Sequence, residues 1–301
     1  WDSRVYAISP ACERFLRQIG IWQAMDATRL QAVHAMEIKG DAGGALQFSA
    51  QSVHQTHLTY IVESSQMQHA LWQSLQNQDN LDIICPATLD HLTFLPQMAE
   101  AHLQDGRVLT ASLIAGADGA HSAVRKQAGI AVQEDNYDTL GVVATFACER
   151  PHGAIARQWF RGGDILACLP LPSQDGRNYF SIVWSCPTAQ AHVLMSLSAS
   201  DLVQQVHTAS GGVLGALEAL SPALGFPLKR RKAVQQTAHR VALIGDAAHT
   251  VHPLAGQGLN LGYKDAQMLA KLLISGKIQG VDLGSAAWLR RFARERAGNR
   301  C

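Results

Sequence analysis

The sequence predicts an α/β protein in which a Rossmann-like domain, built from both ends of the chain, contains an inserted antiparallel sheet. Two observations support this fold class. A short buried strand followed by an aspartate, a turn and a helix occurs twice, once before and once after the middle of the chain. Between them, residues 139–186 contain four strand-like segments joined by Gly, Pro and Asp turns. We therefore assign residues 1–138 and 236–301 to the first domain and residues 139–235 to the β-rich insert.

Composition narrows the function classes. Of the 301 residues, 47% are hydrophobic and 16% are charged, which indicates a large core. With 25 basic and 24 acidic residues and no basic stripe interleaved with aromatics, the sequence predicts no nucleic-acid partner. The six scattered cysteines contain no C-x-x-C pair, so we expect unpaired, mostly buried thiols in a reducing cytoplasm. No apolar run reaches 18 residues, so no membrane-spanning helix is predicted.

The amino-terminal third mixes helices and strands. Ser9 and Pro10 mark the start of a helix that should end near Gly20. A second, amphipathic helix should begin with Ser64 or Ser65 as its N-cap. The strands predicted here are residues 45–50, 81–89, 94–103 and 108–119, with a hairpin turn at Asp105-Gly106.

The rest of the chain begins with the β-rich insert and returns to helices. A final long helix should start after residue 258 and end where Gly276 occupies the C′ position. The other predicted elements are strands at 140–149, 156–160, 165–171, 178–184, 226–237 and 241–244, and helices at 198–209 and 213–220.

The stretch "GDAAHTVHPLAGQGLNLG" (residues 245–262) carries the strongest chemical signal. Asp246 follows a buried strand directly, where its carboxylate can accept hydrogen bonds from the hydroxyls of a sugar or ribityl chain. The glycines at 256, 258 and 262 resemble G-x-G-x-x-G, but the last is one residue too late. Glycines here allow a close backbone approach to a ligand, and the following helix N-terminus suits developing negative charge. The alternative is an ordinary strand–loop–helix joint with glycines for packing.

A second strand–Asp–turn–helix unit lies in "LIAGADGAHSAVRKQAG". Asp118 and Gly119 form the turn, a helix should open near Ser122, and Arg125 lies in its first turns. An arginine there can bind a pyrophosphate or a second nucleotide, or it can form a surface salt bridge. Two such units in one chain are more specific than either unit alone.

Three further features have less specific interpretations. His249 and His252 have a spacing that could suit a metal, but no third ligand is nearby, so we predict no metal site. The basic run at 229–232 is expected to be a solvated strand end, with an acidic partner as the alternative. Residues 286–300 read as a basic amphipathic helix, expected to dock with one wet face, with contact to a membrane or a biosynthetic complex as the alternative.

Both aspartate motifs resemble the paired internal motifs of the flavin-dependent aromatic-ring hydroxylases, which share the para-hydroxybenzoate hydroxylase fold. The segment "HPLAGQGLNLG", together with "WDSRVYAIS" upstream and "ILACLPL" in the insert, is most similar to the corresponding segments of the ubiquinone-biosynthesis branch. The resemblance covers essentially the whole chain. It implies an FAD-binding domain and a monooxygenase. Such an enzyme uses NAD(P)H to reduce FAD and O₂ to form a flavin hydroperoxide that hydroxylates a phenol or quinol ring, with or without a prenyl tail.

The resemblance also implies roles for individual residues. Asp246 would bind the ribityl chain of FAD, and Asp118 and Arg125 would belong to a segment shared by FAD and NAD(P)H. Arg4 would lie in the active-site cleft, together with Pro253 and Gly256, and Gln68 is a weaker cofactor candidate. The residues that would line the isoalloxazine ring are Gly256, Gln257, Gly258, Leu259 and Asn260. No side chain need act as a covalent nucleophile or as an acid or base, since the cofactor carries the redox chemistry.

The family pattern begins with a strand, a G-x-G-x-x-G turn and a helix, and this sequence has no G-x-G-x-x-G. Since the chain also starts at Trp1 and stops at Cys301 after a helix-like run, we expect a truncated core of a longer protein. Three alternatives stay open at this point: a halogenase, a prenyl reductase of the same fold, or a non-catalytic scaffold subunit. We expect a cytoplasmic protein, either free or peripheral at the inner face of a membrane.

Overall fold

The computed structural model describes residues 1–250 and 257–298, which cluster into two units. The first unit comprises residues 1–78 and 136–228, and the second comprises the other described residues. This grouping puts the amino-terminal segment with the β-rich insert. The predicted domain assignment concerns where cofactor and substrate bind, and it stays a prediction.

In chain order the described strands are β1 (Val5–Ile8), β2 (Gln31–Val33), β3 (Ala35–Lys39), β4 (Ala45–Ser49), β5 (Thr59–Glu63), β6 (Leu89–Phe94), β7 (Ala99–Leu103), β8 (Val108–Ala111), β9 (Ile114–Gly116), β10 (Val132–Cys148), β11 (Ile155–Arg161), β12 (Asp164–Gln174), β13 (Arg177–Pro187), β14 (Leu217–Ala219), β15 (Leu224–Ala233), β16 (Thr237–Ala238), β17 (Val241–Leu243) and β18 (His249–Thr250). The longest strands are β10, β12 and β13.

Helices lie mostly between these strands and at the end of the described chain. They are α1 (Pro10–Gln18), α2 (Ile21–Ala24), α3 (Ser64–Gln76), α4 (Ala123–Gln127), α5 (Thr188–Ser196), α6 (Ala199–Ala209), α7 (Gln257–Ile278) and α8 (Ala286–Gly298), with 3₁₀ turns at Ala27–Arg29, Gln51–Val53 and Gly245–Ala247. Within the described ranges, no helix combines the length and the apolarity needed to cross a bilayer.

The first unit is organised around the predicted sheet. Its strands follow the order β10, β13, β12, β11, β3 and β4, and all neighbours are antiparallel except β11 and β3. The four predicted strands of the insert are confirmed, but the sheet also takes two strands from the amino-terminal segment. Its core includes Phe146, Ile182 and Trp184, each no more than 2% exposed. The predicted helix at 213–220 is wrong, because β14 forms there and pairs with β10.

Sequence signals for helix ends were accurate at α1 and inaccurate at α3. Ser9 caps α1, and Gly20 follows it with a φ of 79°. The N-cap of α3 is Glu63, not Ser64 or Ser65. A carboxylate oxygen of Asp2 instead accepts the backbone N–H of Ser65 at 2.7 Å, which satisfies one of the free donors at this helix end.

The second unit contains two three-stranded sheets, ordered β6-β7-β8 and β16-β17-β9. The predicted hairpin at Asp105-Gly106 is confirmed, and Gly106 has the positive φ of 88° that this turn requires. Residues 81–88 form no strand, against prediction, and Pro86 in this segment has no N–H to offer a sheet ladder. The predicted strands at 94–103 and 108–119 are each interrupted by a turn, so that β8 and β9 belong to different sheets.

Helices α7 and α8 pack together in the second unit. Gly276 does not end α7, which continues to Ile278. A Cβ at Gly276 would lie 2.8 Å from the Trp288 ring nitrogen, so this glycine allows the close approach of the two helices. Gly280, with a φ of 64°, follows the helix instead. The docking prediction for α8 is confirmed, because its apolar side is buried and its arginines at 290, 291 and 294 are exposed.

Candidate functional site

The two aspartate motifs start from the same edge of one small sheet. Strands β9 and β17 run parallel, with Leu243 opposite Gly116, and the N–H of Ile244 donates to the Gly116 carbonyl at 3.0 Å. The carboxyl ends of parallel strands lie at one edge of a sheet, where α/β proteins bind their ligands. The turns that carry Asp118 and Asp246 therefore begin side by side.

Asp246 lies in a tight turn directly after β17. Gly245 has a φ of 58° and opens a 3₁₀ turn that ends at Ala247. The Asp246 side chain is exposed, but the surrounding protein still restricts its hydration, and this burial raises the pKa of its carboxyl. The nearby charges of His249 and Arg231 act in the opposite direction. The turn therefore presents a carboxylate that can accept hydrogen bonds from hydroxyl groups.

Asp118 has a structural role in its own loop. One carboxylate oxygen accepts the hydroxyl of Ser122, and the other accepts the backbone N–H of Val124 at 3.1 Å. The Ser122 hydroxyl also caps α4 by accepting the N–H of Arg125 at 2.9 Å. These bonds fix the start of α4 relative to Gly119, which has a φ of 82°.

Arg125 joins the two motifs. Its side chain is buried, with Nη1 donating to the Ala247 carbonyl and Nη2 to the Ala120 carbonyl, each at 2.9 Å. Of the two interpretations for this residue, the surface salt bridge is wrong, because the guanidinium is buried and bonds two backbone carbonyls. The arginine ties the loop after β9 to the turn that carries Asp246.

A buried carboxylate behind the turn was missed by the sequence analysis. Asp265 of α7 has no exposed surface and accepts the backbone N–H of Gly245 at 3.0 Å and Nε2 of His249 at 2.6 Å. It also accepts a hydrogen bond from Nε of Arg296 in α8. The available signal was its position four residues before Leu269, which puts it on the same face of α7 as an apolar residue that is buried.

Gly262, the glycine that comes one residue too late for a G-x-G-x-x-G pattern, packs against the same turn. A Cβ at Gly262 would lie 3.3 Å from Cα of Gly245. Among the predicted ring-lining residues, Asn260 is buried and Gly258 and Leu259 are partly buried in the first turns of α7. Gln257 is the first residue of α7, and Pro253 and Gly256 lie outside the described residues.

The basic run at 229–232 forms ion pairs with the start of β10. Lys229 and Arg231 both bond Glu134, at 3.2 and 2.9 Å, and Arg230 bonds Asp135 at 2.9 Å. Hydrogen bonds from Arg231 and Lys229 lower the pKa of Glu134 to about 2. The run thus belongs to a solvated strand end, as predicted, and it places Arg231 near Asp246.

Arg4 and Gln68 belong to the first unit, whereas Asp118, Arg125, Asp246 and Asn260 belong to the second. The Arg4 guanidinium lies 5.8 Å from the centre of the Phe226 ring, and its backbone N–H donates to Asp2. Gln68 is exposed on α3. The structure therefore places Asp118, Arg125, Asp246 and residues 257–260 in one unit, and Arg4 and Gln68 in the other.

His249 is accounted for by its bond to Asp265, and His252 lies outside the described residues. In the part of the chain that the structure describes, no group of three His, Cys, Asp or Glu residues could hold a metal ion. None of the described cysteines forms a disulfide, and four of these five are buried, as predicted.

Comparison with known proteins gives the family. The family model described as "FAD binding domain" matches residues 3–291. The chain is 34% identical to 3-demethoxyubiquinol 3-hydroxylase of Escherichia coli over 295 residues, which cover 98% of this chain and 74% of that protein. It is 31% identical to ubiquinone hydroxylase UbiL of Rhodospirillum rubrum, covering 97% of this chain and 67% of that protein.

Solved structures agree on the fold. The crystal structure of PqsL from Pseudomonas aeruginosa, described as a probable FAD-dependent monooxygenase, superposes with a TM-score of 0.81 at 22% identity. The match covers 98% of this chain and 83% of PqsL. The α/β fold with its antiparallel insert, predicted from the sequence, is therefore confirmed.

Proposed function

Because this chain belongs to the FAD-binding-domain family of flavin-dependent hydroxylases, we propose that it hydroxylates the aromatic ring of a ubiquinone precursor. FAD is the cofactor, and NAD(P)H and O₂ are the co-substrates typical of this family. The relatives named for ubiquinone hydroxylation cover nearly the whole chain at 31–34% identity, which supports a phenol or quinol substrate.

The second unit offers a site that fits FAD. Its exposed Asp246 carboxylate can accept hydrogen bonds from the ribityl hydroxyls, and the positive φ of Gly245 lets the backbone turn sharply beside it. Nδ1 of His249 and Oγ1 of Thr250, just after this turn, are buried polar atoms with no hydrogen-bond partner among the described residues. The observation that carries the proposal is this carboxylate at the shared edge of β9 and β17, tied by Arg125 to the first motif.

When bound, FAD takes electrons from NAD(P)H and activates O₂ for transfer of one oxygen atom to the ring. The protein's contribution is placement and charge. The amino-terminal turn of α7, with Gly258, Leu259 and Asn260, carries the positive end of the helix dipole, which would stabilise negative charge on the reduced ring. Following the resemblance, Gly256 and Gln257 would line the same ring.

The remaining assignments are also proposals. Arg4 would contribute to the active-site cleft with Pro253, Gln68 to cofactor binding, and Asp118 and Arg125 to a segment shared with NAD(P)H. The antiparallel sheet of residues 139–186 would cover the substrate, with 139–235 as the substrate domain.

The test is the substitution Asp246→Ala in the full-length protein, with Asp105→Ala as a matched control. Asp105 is an exposed carboxylate of the same unit, in the hairpin between β7 and β8. Loss of hydrogen bonds to a charged acceptor costs about 1.5–3 kcal/mol, so the dissociation constant for FAD should rise roughly 10- to 150-fold. FAD content and affinity equal to those of the control would refute the assignment.

Enzymatic function needs a separate measurement. Flavin absorbance of the purified protein, followed by NAD(P)H oxidation with candidate phenols and detection of the hydroxylated product, tests the monooxygenase. Bound flavin without substrate-dependent NAD(P)H oxidation would favour a scaffold subunit instead.

We also propose that the exposed side of α8 contacts an anionic membrane surface. Arg290, Arg291 and Arg294 are exposed there, and α7 exposes Ile274 and Ile278 at a spacing that places them on one helix face. Vesicles containing anionic lipid should retain the protein, and neutral vesicles should not. Equal retention of a variant with all three arginines replaced by glutamine would refute this contact.

A further inference from the structure

Asp265 is the common acceptor for three segments of the second unit. It receives the backbone N–H of Gly245 at the beginning of the turn and Nε2 of His249 at its end. Its other carboxylate oxygen receives Nε of Arg296 from α8. Asp265 and Arg296 are at most 2% exposed, so this ion pair is almost completely removed from water.

A buried carboxylate is retained only if its charge is balanced and its oxygens are hydrogen-bonded. Arg296 supplies the balancing charge, and its position depends on the packing of α8. That helix buries Trp288, Leu289 and Phe292 in the core cluster that contains Leu269 of α7. The charge balance of Asp265 is therefore linked to the docking of the carboxyl-terminal helix.

The two residues of the turn that bond Asp265 lie on either side of Asp246, the residue proposed to bind the ribityl chain. Gly245 and His249 are the two ends of a five-residue segment, and Asp246 lies between them. On the far side Arg125 holds the Ala247 carbonyl, and behind the turn a Cβ on Gly262 would be only 3.3 Å from Gly245. The segment has little freedom to move while both ends remain bonded to one carboxylate.

The orientation of the His249 ring depends on the same bond. Nε2 is bonded to Asp265, whereas Nδ1 is buried with no hydrogen-bond partner in the described ranges. Without Asp265, the ring would lose the side-chain partner that fixes its angle.

We propose that Asp265 and Arg296 are positioning residues for flavin binding. They hold the 245–249 turn so that Asp246 faces the ribityl chain, and the docked α8 thereby controls the affinity for FAD. This inference rests on the proposed role of Asp246. It gives the buried arginine of the basic helix a function distinct from that of its three exposed arginines.

The decisive comparison uses two Arg–Asp pairs at opposite ends of β17, one almost completely buried and one whose carboxylate is partly exposed. Asp265 pairs with Arg296 behind the carboxyl end, whereas Asp282 pairs at 2.7 Å with the fully buried Arg240 before the amino end. Asp265→Asn should raise the dissociation constant for FAD about tenfold or more, by analogy with the effect of removing hydrogen-bond partners of metal ligands. Asp282→Asn should lower the thermal unfolding midpoint of the apoprotein and leave FAD affinity within about twofold of wild type.

Arg296 provides a second, independent pair of variants. Arg296→Met removes the charge and should weaken FAD binding in the same direction as Asp265→Asn, whereas Arg296→Lys keeps the positive charge and should weaken it less. If Asp265→Asn does not fold, the two Arg296 variants still test the positioning role. Equal FAD affinity of Arg296→Met and Arg296→Lys would overturn the proposal.

Other outcomes separate this inference from the proposed function. If Asp246→Ala weakens FAD binding and Asp265→Asn does not, the positioning role is wrong and the cofactor site stands. If Asp265→Asn and Asp282→Asn weaken FAD binding equally, the effect is general destabilisation and the inference is again overturned. If Asp246→Ala leaves FAD binding unchanged, both the site assignment and the inference fail.

Discussion

Replacing Gly262 of α7 by alanine tests how closely the helix packs against the turn that carries Asp246. The new Cβ would lie 3.3 Å from Cα of Gly245, whereas carbon atoms in contact prefer about 3.5–4.0 Å. The neighbour is backbone in a turn with a φ of 58°, so it cannot rotate away as a side chain would. The helix or the turn must therefore move by about 0.2–0.7 Å.

Two free-energy terms of opposite sign follow from this substitution. Overpacking a tight site costs about 1–3 kcal/mol. Alanine in place of glycine inside a helix stabilises by about 1 kcal/mol. We therefore expect Gly262→Ala to lower the free energy of unfolding by between zero and about 2 kcal/mol. The same displacement should weaken FAD binding, because it moves the Gly245–Asp246 turn.

Urea unfolding of the apoprotein measures the first effect, and titration with FAD measures the second. Ala270→Gly is the control, because Ala270 is exposed on the same helix and reports the helix-propensity term alone. The contact penalty is then the loss observed at Gly262 plus the propensity term measured at Ala270. If Gly262→Ala stabilises the protein by the full propensity term, the packing argument is wrong.

Three further predictions concern single side chains. Arg240→Met should lower the free energy of unfolding by about 2–5 kcal/mol, because it removes a buried guanidinium that bonds backbone carbonyls and the Asp282 carboxylate, and urea titration checks this. Because the pKa of Glu134 is lowered from 4.5 to about 2, its stabilising contribution is present above pH 4.5 and is lost as the pH falls towards 2. Glu134→Gln should thus flatten the decrease of the thermal midpoint across that window, and an unchanged slope would contradict it. In the native protein Cys85 is exposed and should react with a thiol reagent long before Cys168, whose thiol pKa is raised by burial; mass spectrometry of labelled peptides would show the order.

Much of the site was predictable because its signals are local. Asp246 and Asp118 each follow a short apolar strand directly, and the carboxyl end of a buried strand limits where such a residue can lie. Ser9 and Ser122 were predictable as helix caps for the same reason, since a cap involves only the next three residues. The role of Asp246 in binding FAD stays a prediction.

Predictions failed where distant residues compete with local preference. Residues 213–220 have a helical pattern, yet residues 217–219 form β14 because the long strand β10 offers an open edge there. Gly276 has the residue type of a helix end, yet the Trp288 ring packs on it and α7 continues for two more residues. From the sequence, Arg125 could equally be a surface residue, because its bond to the Ala247 carbonyl joins residues 122 positions apart.

The sequence by itself determined the fold class and the family, because both depend on hydrophobic periodicity and on short motifs. Only the tertiary structure decided the role of Gly262 and the acceptor role of Asp265, since each depends on partners at least 16 residues away along the chain. The glycine that is one residue late for a dinucleotide fingerprint lies where α7 meets Gly245. Contacts of this kind form when separate elements pack, and no local pattern records them.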